Sequence, residues 1–337
     1  MHFFVTGHTG FKGSWLILLL KELGHEVSGY SLDPVDGGLF QLAGLESKVK
    51  NHFIGDIRDL DHLRSALRTS NPDFAIHMAA QPLVLRSYED PVETYTTNVD
   101  GTLNFLRAVS ELDSHPVSLV ITTDKVYRDD GKGSYVETDP LGGHDPYSAS
   151  KAMADILTQS WAATNPDLSL HVARAGNVIG AFDASQNRLI PDAVRAIKSR
   201  DILTIRQPNA VRPWQHVLDC LAGYLLLLNK VKSGADIPIA LNFGPDPASI
   251  RSVAEVLSAA VIEVPELKYV LSDSDDHLKE TQLLTLDSRQ AISMLGWDNQ
   301  IDFQKAIEWS FEELSTGSAL EIAERQINEF LAFGKLR

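Results

Sequence analysis

The sequence predicts an α/β fold in which a doubly wound parallel sheet precedes a smaller α+β lobe. Short apolar segments of strand length alternate with helical segments as far as Arg174. A glycine-rich turn joins the first of these strands to the first helix. Beyond Arg174 the alternation loosens into longer helices and shorter strands. Regular alternation of strands with helices is typical of a parallel sheet, because each parallel crossover needs a helix.

The elements of the first lobe follow from apolar segments between turn residues. We predict strands at 3–6, 26–30, 51–55, 74–78, 117–123 and 170–173, and helices at 15–23, 60–69, 91–112 and 146–163. For the second lobe we predict helices at 191–200, 217–231, 252–262 and 303–314, and strands at 203–205, 240–242 and 269–271. The first lobe spans 1–176, with 214–235 returning to it, and the second spans 177–337.

Composition excludes several classes of protein. A net charge of −15 disfavours binding to nucleic acid or to anionic lipid, so we expect neither partner. The single cysteine, Cys220, excludes an intramolecular disulfide and a cysteine-built metal site, and we expect no metal. No segment resembles a signal peptide, and the apolar stretch at 15–20 is too short to span a bilayer. We therefore expect a cytoplasmic protein.

The turn between the first strand and helix is the first candidate site. Gly7, Gly10 and Gly13 recur every third residue. Glycines there let the backbone approach a pyrophosphate, and the following helix N-terminus offers free N–H groups. The spacing differs from the usual dinucleotide fingerprint, yet its position in the first strand-to-helix turn favours nucleotide binding. His8 and Lys12 lie within the turn, and they flank the pyrophosphate or are simply exposed.

The second and third strands suggest which dinucleotide is bound. An acidic residue near the end of the second strand commonly binds the adenosine ribose; Ser31 holds that position and Asp33 follows two residues later. No arginine lies near to neutralise a 2′-phosphate, so NAD is favoured over NADP. A plain turn also explains Asp33. After the third strand Asp56 is placed to face the adenine amino group, and Asp59 to cap the next helix.

Two polar clusters follow later strands. The first is Thr122 to Tyr127, and the second runs from Asp145 to Lys151. Tyr147 and Lys151 are one helical turn apart, so the ammonium can lie beside the phenol and favour its ionised form. Such a tyrosine can take a proton from an alcohol that is being oxidised. Most Tyr-x-x-x-Lys pairs are ordinary surface pairs, but the glycine turn and the sheet favour the catalytic interpretation here.

These motifs together resemble the extended short-chain dehydrogenase/reductase family over nearly the whole chain. The similarity is strongest to the nucleotide-sugar 4,6-dehydratases, in particular those that act on CDP-glucose. The segments that carry it are 7–15 (GHTGFKGSW), 80–84 (AQPLV), 123–125 (TDK), 141–148 (LGGHDPYS), 174–178 (RAGNV) and 212–217 (RPWQHV). At 279–281 (KET) the sequence departs from the family pattern, which leaves base and sugar specificity open.

The resemblance implies a reaction and a role for each residue. Such an enzyme oxidises the sugar at C4, eliminates water across C5–C6 and returns the hydride to C6. Tyr147 would be the base at the 4-hydroxyl, with Lys151 tuning it and Thr123 bonded to the C4 oxygen. Asp124 would be the acid for the 6-hydroxyl and Lys125 the base at C5, although the two could exchange or share a proton. A solvated turn pair also explains Asp124 and Lys125.

The resemblance also implies binding residues and partners. We expect NAD to contact Gly7, Thr9, Gly10, Phe11, Lys12, Gly13, Ser31, Asp33, Asp56, Ile57, Ala79, Ala80, Gln81, Asn98, Thr122, Tyr147, Lys151 and Ala175. We expect the nucleotide sugar to contact Gln81, Arg86, Asn177, Arg188, Leu189, Arg206, Arg212 and His216. Helices 91–112 and 146–163 would pair across a homodimer, although packing within one subunit also explains their apolar faces. The pathway implied is deoxysugar biosynthesis, as for lipopolysaccharide O-antigen.

Two other functions remain open. A nucleotide-sugar 4-epimerase or 4-reductase needs Tyr147 and Lys151 but no elimination pair, so Asp124 and Lys125 argue against it. A non-catalytic NAD-binding sensor would be expected to lose the tyrosine or the lysine, and this chain has both. A 4,6-dehydratase for a different nucleotide sugar is also compatible with these motifs.

Overall fold

The protein is built around a central sheet of seven parallel strands. The structure is a computed structural model that describes residues 1–272 and 284–336. The strands of this sheet and of the smaller sheets described below are, in chain order, β1 (His2–Thr6), β2 (Glu26–Ser31), β3 (Asn51–Ile54), β4 (Phe74–His77), β5 (Val117–Thr123), β6 (Ser134–Tyr135), β7 (Leu170–Ala175), β8 (Asn177–Ile179), β9 (Leu203–Ile205), β10 (Val211–His216), β11 (Ala240–Phe243), β12 (Ile250–Ser252), β13 (Tyr269–Leu271) and β14 (Thr285–Leu286). The order across the central sheet is β11-β7-β5-β4-β1-β2-β3, which confirms the predicted doubly wound fold.

Helices cover both faces of this sheet. They are α1 (Phe11–Glu22), α2 (Leu39–Leu42), α3 (Leu60–Ser70), α4 (Val84–Glu89), α5 (Pro91–Tyr95), α6 (Gly101–Ser110), α7 (Pro146–Thr164), α8 (Leu189–Ser199), α9 (Val217–Lys232), α10 (Val253–Glu263), α11 (Arg289–Leu295), α12 (Phe303–Phe311) and α13 (Ala319–Leu331). Helices α3, α6 and α7 pack together on one face, while α1, α9 and α13 lie on the other. Within the described ranges, no helix is long and apolar enough to cross a bilayer.

Alternate residues along the strands point to opposite faces of the sheet and belong to two separate hydrophobic cores. In β5, Leu119 and Ile121 join the core beneath α1 and α9, whereas Val120 joins the core beneath α3 and α6. This is the two-residue period of a strand covered on both faces. Helix α1 is buried continuously from Gly13 to Leu20, because α13 covers the side of the helix that faces away from the sheet. That cover explains why α1 is apolar all round.

Three smaller sheets accompany the central one in the described part of the chain. Strand β10 pairs with both β8 and β12, β9 pairs with β13, and β6 pairs with β14. Helix α9, which follows β10 directly, packs against α1 and β5 of the central sheet. The second lobe therefore includes a strand that leads straight back into the first.

Two predicted elements differ from the structure. Placing residues 240–242 in the second lobe is wrong, because β11 pairs in parallel with β7 and is the edge strand of the central sheet. The predicted helix 91–112 is divided into α5 and α6 by a π-helical turn at Thr96–Asp100. That turn contains Asn98, whose side chain bonds outside the helix. Helices α2, α4, α11 and α13 and the short strands β6, β8, β10, β12 and β14 are not among the predicted elements.

Candidate active site

The candidate residues follow strands that end along one edge of the central sheet. The glycine turn follows β1, the Ala79–Gln81 segment follows β4, and Thr123 ends β5. Strands β1 and β4 are neighbours at the point where the chain reverses its direction across the sheet. A cleft forms at this point in open α/β sheets, so the topology alone brings these segments to one site.

The glycine turn fits a bound pyrophosphate. Gly7 has φ +74°, and a Cβ there would lie 2.7 Å from the backbone nitrogen of Ala79. A Cβ on Gly13 would lie 2.3 Å from the carbonyl oxygen of Gly7. Gly10 is the N-cap of α1, and among the described residues no side chain caps the helix there. The first N–H groups of α1, from Phe11 onward, therefore remain for an anionic ligand.

The side chains of His8 and Lys12 are engaged with other residues of the protein in this structure. His8 is buried beneath Gly29, and its Nε2 lies 2.7 Å from Nδ1 of His52. Burial lowers the pKa of His8 to about 3, so the ring is neutral. Lys12 Nζ instead donates to the Tyr224 hydroxyl at 3.3 Å, on α9. The predicted contact between the Lys12 side chain and a pyrophosphate would require this bond to break.

The end of β2 contains the predicted ribose-binding position. The Thr9 hydroxyl donates to the carbonyl oxygen of Leu32 (3.0 Å), and the Ser31 hydroxyl lies 2.8 Å from Thr9 Oγ1. This pair joins the glycine turn to the end of β2. Asp33 is exposed beside it. Hydroxyl groups and an exposed carboxylate at this position can bind a ribose diol.

The adenine candidates follow β3. Asp56 accepts from the Arg58 backbone N–H and guanidinium, each at 2.9 Å, and this pairing lowers the pKa of Asp56. Ile57 is buried. The carboxylate of Asp56 is thus paired with its neighbour Arg58 just after β3.

Asn98 in the π-helical turn holds the segment after β4. Its Oδ1 accepts from the Gln81 backbone N–H at 2.8 Å, and its Nδ2 donates to the Gln81 carbonyl at 3.1 Å. Nδ2 also donates to the Ser150 hydroxyl at 2.9 Å, on the catalytic-candidate helix α7. The Gln81 side chain is engaged locally, with Thr94 Oγ1 at 2.8 Å. Asn98 therefore fixes the backbone of Gln81, which directly follows Ala79 and Ala80 at the end of β4.

Thr123, Asp124 and Lys125 form a compact polar group at the end of β5. The Thr123 hydroxyl donates to Asp124 Oδ1 at 2.8 Å, and the Lys125 ammonium lies 3.4 Å from the same oxygen. Asp124 is buried, whereas Lys125 is partly exposed. A Cβ on Gly176 would lie 3.5 Å from the other oxygen of Asp124, so the strand that leads into the second lobe passes close by.

Tyr147 joins this group from the first turn of α7. Asp145 caps the helix by accepting from the Ser148 N–H at 2.9 Å, and Pro146 occupies the first helical position. Burial raises the pKa of Tyr147, while the charge of Lys125 is the strongest influence that lowers it, ahead of a hydrogen bond with Thr123. The cation that most favours the phenolate is therefore Lys125.

Lys151 lies one turn further along α7, with its ammonium directed at the sheet. Its Nζ donates to the Ile121 carbonyl oxygen at 2.7 Å. Burial lowers the pKa of Lys151 to about 8, the charge of Lys12 acts in the same direction, and Asp155 opposes both. We predicted the ammonium beside the phenol of Tyr147; it bonds to a carbonyl instead, because a buried ammonium needs an acceptor.

Thr122 and Ala175, both predicted to contact NAD, lie behind the cleft surface. The Thr122 hydroxyl donates to Asp155 Oδ2 at 3.1 Å, on α7. Ala175 is buried and is paired in register with Thr123. Their side chains support the sheet edge beneath the candidate site.

The second lobe supplies further candidates on one side of the cleft. Asn177 begins β8 and is half-buried, opposite Trp214 of β10. Arg188 is the N-cap residue of α8, lies 3.5 Å from a carboxylate oxygen of Asp183, and lowers the pKa of Tyr147 through its charge. Leu189 follows it, half-buried. Arg188 is therefore the candidate of this lobe that the structure connects to the catalytic group.

The other basic candidates occupy different surroundings. Arg206 is exposed just after β9, and Arg212 is half-buried on β10, donating to the Val211 carbonyl at 2.9 Å. Arg86 on α4 is exposed, and its Nε donates to Glu93 at 3.0 Å. Residues 279–281, where the sequence departs from the family pattern, lie outside the described residues.

His216 is a correction to the predicted substrate-binding set. Its ring is 1% exposed and lies between Trp15 and Trp309 in the core. Its Nδ1 accepts from the Leu218 N–H, which caps α9. Burial lowers the pKa of His216 to about 3. The side chain is inaccessible to substrate because the two tryptophans enclose it where β10 leads into α9.

The structure adds one group of polar residues that the sequence did not identify. Arg174 and Asp155 form a buried ion pair, with Tyr127 and Asn242 bonded in the same cluster. Arg174 stands in a recognised motif, and Asp155 lies four residues after Lys151 on one helix face. That spacing was the signal available, but an acidic residue on a helix is far more often exposed.

Comparison with known proteins gives consistent relatives. The CDP-glucose 4,6-dehydratase of Salmonella typhimurium (strain LT2) is 37% identical over 98% of this chain and 96% of its own length. A UDP-glucose 4-epimerase of Erwinia amylovora is 29% identical over 69% of this chain and 75% of its own. The crystal structure of dTDP-glucose 4,6-dehydratase from Bacillus anthracis in complex with NAD matches with a TM-score of 0.77 and 22% identity, covering 94% of this chain and 97% of that one. The structural match supports the fold.

The family follows from the extent of these matches. A family model described as the NAD dependent epimerase/dehydratase family matches residues 3–242, which include the glycine turn and both polar clusters. The 37% identical relative extends the similarity through the second lobe. The chain belongs to the NAD dependent epimerase/dehydratase family.

Proposed function

We propose that this protein catalyses the NAD-dependent 4,6-dehydration of a nucleotide sugar, converting CDP-D-glucose to CDP-4-keto-6-deoxy-D-glucose and water. The observation that carries the proposal is the Asp124–Lys125 pair, 3.4 Å apart and adjoining Tyr147. An elimination needs an acid and a base beside the tyrosine that deprotonates the 4-hydroxyl, and a 4-epimerase does not. The 37% identical relative that acts on CDP-glucose supports the choice of nucleotide.

NAD would bind across the carboxyl ends of β1, β2 and β4. The glycine turn and the first N–H groups of α1 would hold the pyrophosphate, and the end of β2 would hold the adenosine ribose. The close packing of backbone at the glycine turn supports this assignment, because side chains on Gly7 and Gly13 would collide with backbone atoms. When bound, NAD supplies a reversible two-electron oxidation. The remaining chemistry belongs to the protein.

Tyr147 and Lys151, here called the oxidation pair, would act at C4. The Tyr147 phenolate takes the proton of the 4-hydroxyl, and Thr123 exchanges its bond with Asp124 for a hydrogen bond to the C4 oxygen as that oxygen becomes a carbonyl. Lys125 provides the nearby positive charge that favours the phenolate. Lys151 would bind the nicotinamide ribose from beneath, exchanging its bond with the Ile121 carbonyl.

Asp124 and Lys125, here called the elimination pair, would act at C5 and C6. The C4 carbonyl acidifies the C5 hydrogen. The Lys125 ammonium, 3.4 Å from Asp124, first passes a proton to that carboxylate, and the neutral amine then takes the C5 proton. Asp124 protonates the 6-hydroxyl, which leaves as water while the C5–C6 double bond forms. After the hydrogen removed from C4 returns to C6, Lys125 gives a proton back to C5. Passage of the proton held by Tyr147 back to Lys125 through solvent then restores the starting charges of the enzyme, and the product is the 4-keto-6-deoxy sugar.

The nucleotide sugar would extend from this group into the second lobe. Asn177, Arg188 and Arg212 are proposed to contact its pyrophosphate or base, because arginine can bond two phosphate oxygens at once. Arg188 is supported most directly by its electrostatic influence on Tyr147. A cytoplasmic location and a role in the biosynthesis of deoxysugars, such as those of lipopolysaccharide O-antigen, would follow from such a substrate.

We also propose a homodimer. Val92 on α5, and Met153 and Ile156 on α7, are large apolar side chains exposed by 69%, 47% and 52%. Helix α7 packs against α5, so the three lie on adjoining helices. Two copies of this face would form a four-helix interface about a two-fold axis.

The decisive experiment incubates the protein with CDP-glucose and NAD in deuterated water and follows the products by mass and NMR. A 4-keto-6-deoxy sugar with deuterium at C5 supports the proposal. Turnover of a UDP-, GDP- or dTDP-sugar in place of CDP-glucose would retain the reaction and reject the nucleotide. An epimerised product without loss of water would reject the dehydration. Lys125→Ala is expected to abolish both deuterium incorporation and water loss.

A further inference from the structure

A buried arginine connects the segments that carry the catalytic groups. Arg174 on β7 is 1% exposed in its side chain, and Asp155 on α7 is 0% exposed. Arg174 Nε donates to Asp155 Oδ2 at 2.8 Å, and Nη2 donates to Oδ1 at 2.9 Å. The pairing is therefore bidentate, which fixes orientation as well as distance. Its charge resists titration, because the bonds to Asp155 raise the pKa of Arg174.

The register of the sheet places Arg174 in the centre of a polar row. Thr122 of β5 is its partner on one side, and Asn242 of β11 is its partner on the other. Thr122 adds a third bond to Asp155, at 3.1 Å. Because in-register side chains project from the same face, the three form one row beneath α7. Three strands and one helix thus meet at a single guanidinium.

The remaining nitrogen of Arg174 reaches the loop after the elimination pair. Nη1 donates to the Tyr127 hydroxyl at 2.8 Å and to the Glu137 carbonyl at 2.9 Å. Burial raises the pKa of Tyr127 to about 12, so the phenol keeps its proton and donates it to Asn242 Oδ1 at 2.7 Å. Tyr127 is two residues from Lys125, and Asp155 is one turn from Lys151.

We propose that Arg174 is a positioning residue, whose guanidinium aligns α7 with the end of β5 so that the oxidation and elimination pairs face one sugar. The inference rests on the proposed dehydration, which requires both pairs in turn at adjacent carbons. Each pair is carried by a different segment, and Arg174 bonds to both segments. Misplacement by about an ångström can cost on the order of a hundredfold in rate.

Stabilisation of the fold does not by itself explain why Arg174 and Asp155 are a buried ion pair and not two apolar residues. Replacing a buried ion pair with apolar residues of similar size is often neutral or stabilising, whereas removing one partner is strongly destabilising. The two explanations therefore diverge in a double variant. Asp155→Leu with Arg174→Met removes both charges and keeps the space filled. A purely structural pair could be replaced in this way without loss of rate.

The first test measures urea unfolding, calorimetric binding of NAD and CDP, and kcat for this double variant. We expect the unfolding midpoint to fall modestly, because the Glu137 carbonyl and the Thr122 hydroxyl lose their partners. Both affinities should stay close to those of the wild type, while kcat falls between about ten- and a hundredfold. A double variant with wild-type stability and wild-type kcat would overturn the proposal. Absence of product with the wild-type enzyme would instead indicate that the proposed function is wrong.

The second test uses Tyr127→Phe, which removes one bond to Arg174 and keeps the ring. We expect oxidation at C4 to continue while elimination slows on the order of tenfold, so that reduced nicotinamide accumulates and deuterium enters C5 slowly. Tyr135→Phe is the matched control, because its ring stacks on Tyr127 but its hydroxyl bonds to Asp130. Equal behaviour of the two variants would reject the proposal even if the double variant fails to fold.

Discussion

At the scale of single residues, burial and charge compete at Tyr147. Burial raises the pKa of the phenol, and the positive charge of Lys125 is the main influence that lowers it. Lys125→Gln removes that charge, so the phenolate fraction at a given pH should fall. We expect the rising limb of the C4-oxidation rate to move to higher pH by roughly one unit. Single-turnover formation of reduced nicotinamide across a pH series measures this directly.

A lysine in the same loop provides the control for that shift. Lys132 is exposed and bonds to Asp139 at 2.6 Å. Lys132→Gln should leave the pH profile unchanged. If Lys125→Gln also left the limb in place, the charge of Lys125 would have no part in activating Tyr147.

Lys151 should reduce the stability of the cofactor-free protein. Its pKa in the folded state is about 8, below the value of about 10.4 for an exposed lysine. The unfolded chain therefore binds more protons between these values, and the contribution of Lys151 to stability rises with pH over that window. We expect Lys151→Met to be more stable than the wild type at pH 7 by roughly 1–3 kcal/mol, with a smaller difference at pH 10.

Urea unfolding of both proteins at the two pH values tests this expectation, and kcat of the variant should fall by about a hundredfold or more. A variant less stable than the wild type at both pH values would show that the bond to the Ile121 carbonyl outweighs the burial of the charge. Such a result would remove the argument that catalysis keeps a destabilising lysine in this position.

Residues differ in how well the sequence reveals them. Tyr147 and Lys151 were predictable because local spacing places them on one helix face. Arg174 and Asp155 were not, because their pairing depends on how α7 lies across β7. The position of the Lys151 ammonium was also unpredictable, since the carbonyl of Ile121 that binds it belongs to a strand 30 residues earlier.

At the scale of elements, the π-helical turn between α5 and α6 holds the floor of the cleft. Asn98→Ala would leave the buried N–H and carbonyl groups of Gln81 without their partner. We expect a loss of about 2–4 kcal/mol in the free energy of unfolding and weaker binding of NAD. Urea unfolding and calorimetric titration with NAD measure the two effects.

Thr96→Ala is the matched variant in the same turn. The Thr96 hydroxyl donates to the Val92 carbonyl on the exposed side of the helix. Its removal should change stability by no more than about 0.5 kcal/mol. Equal losses in the two variants would mean that the turn, and not the Asn98 side chain, supports the cleft.

The elements themselves show where prediction from sequence fails. Each predicted strand of the first lobe is present because its apolar run lies between turn residues. Strand β11 has an equally clear run, but its sheet depends on pairing with β7, about 70 residues earlier along the chain. The π-helical turn was missed because Asn98 fits a helical pattern locally. Its bonds to Gln81 and Ser150 exist only after the sheet and α7 are assembled.

At the scale of the whole molecule, an exposed apolar face should determine the oligomeric state. Val92, Met153 and Ile156 lie on adjoining helices in a chain that otherwise carries a net charge of −15. A dimer would bury this face and bring α7 of each copy against the other. Because α7 also carries the oxidation pair, the interface would stiffen the catalytic helix from its outer side.

Ile156→Arg should divide the dimer into monomers, because two like charges would meet across the two-fold axis. Light scattering after size exclusion would then give half the wild-type mass, and kcat should fall through loosening of α7. Ile262→Arg is the control, since Ile262 is 73% exposed on α10, away from this face. A wild-type protein that is itself monomeric would reject the interface. A monomeric Ile156→Arg variant with full kcat would separate assembly from catalysis, leaving Arg174 and Asp155 to hold α7 within each subunit.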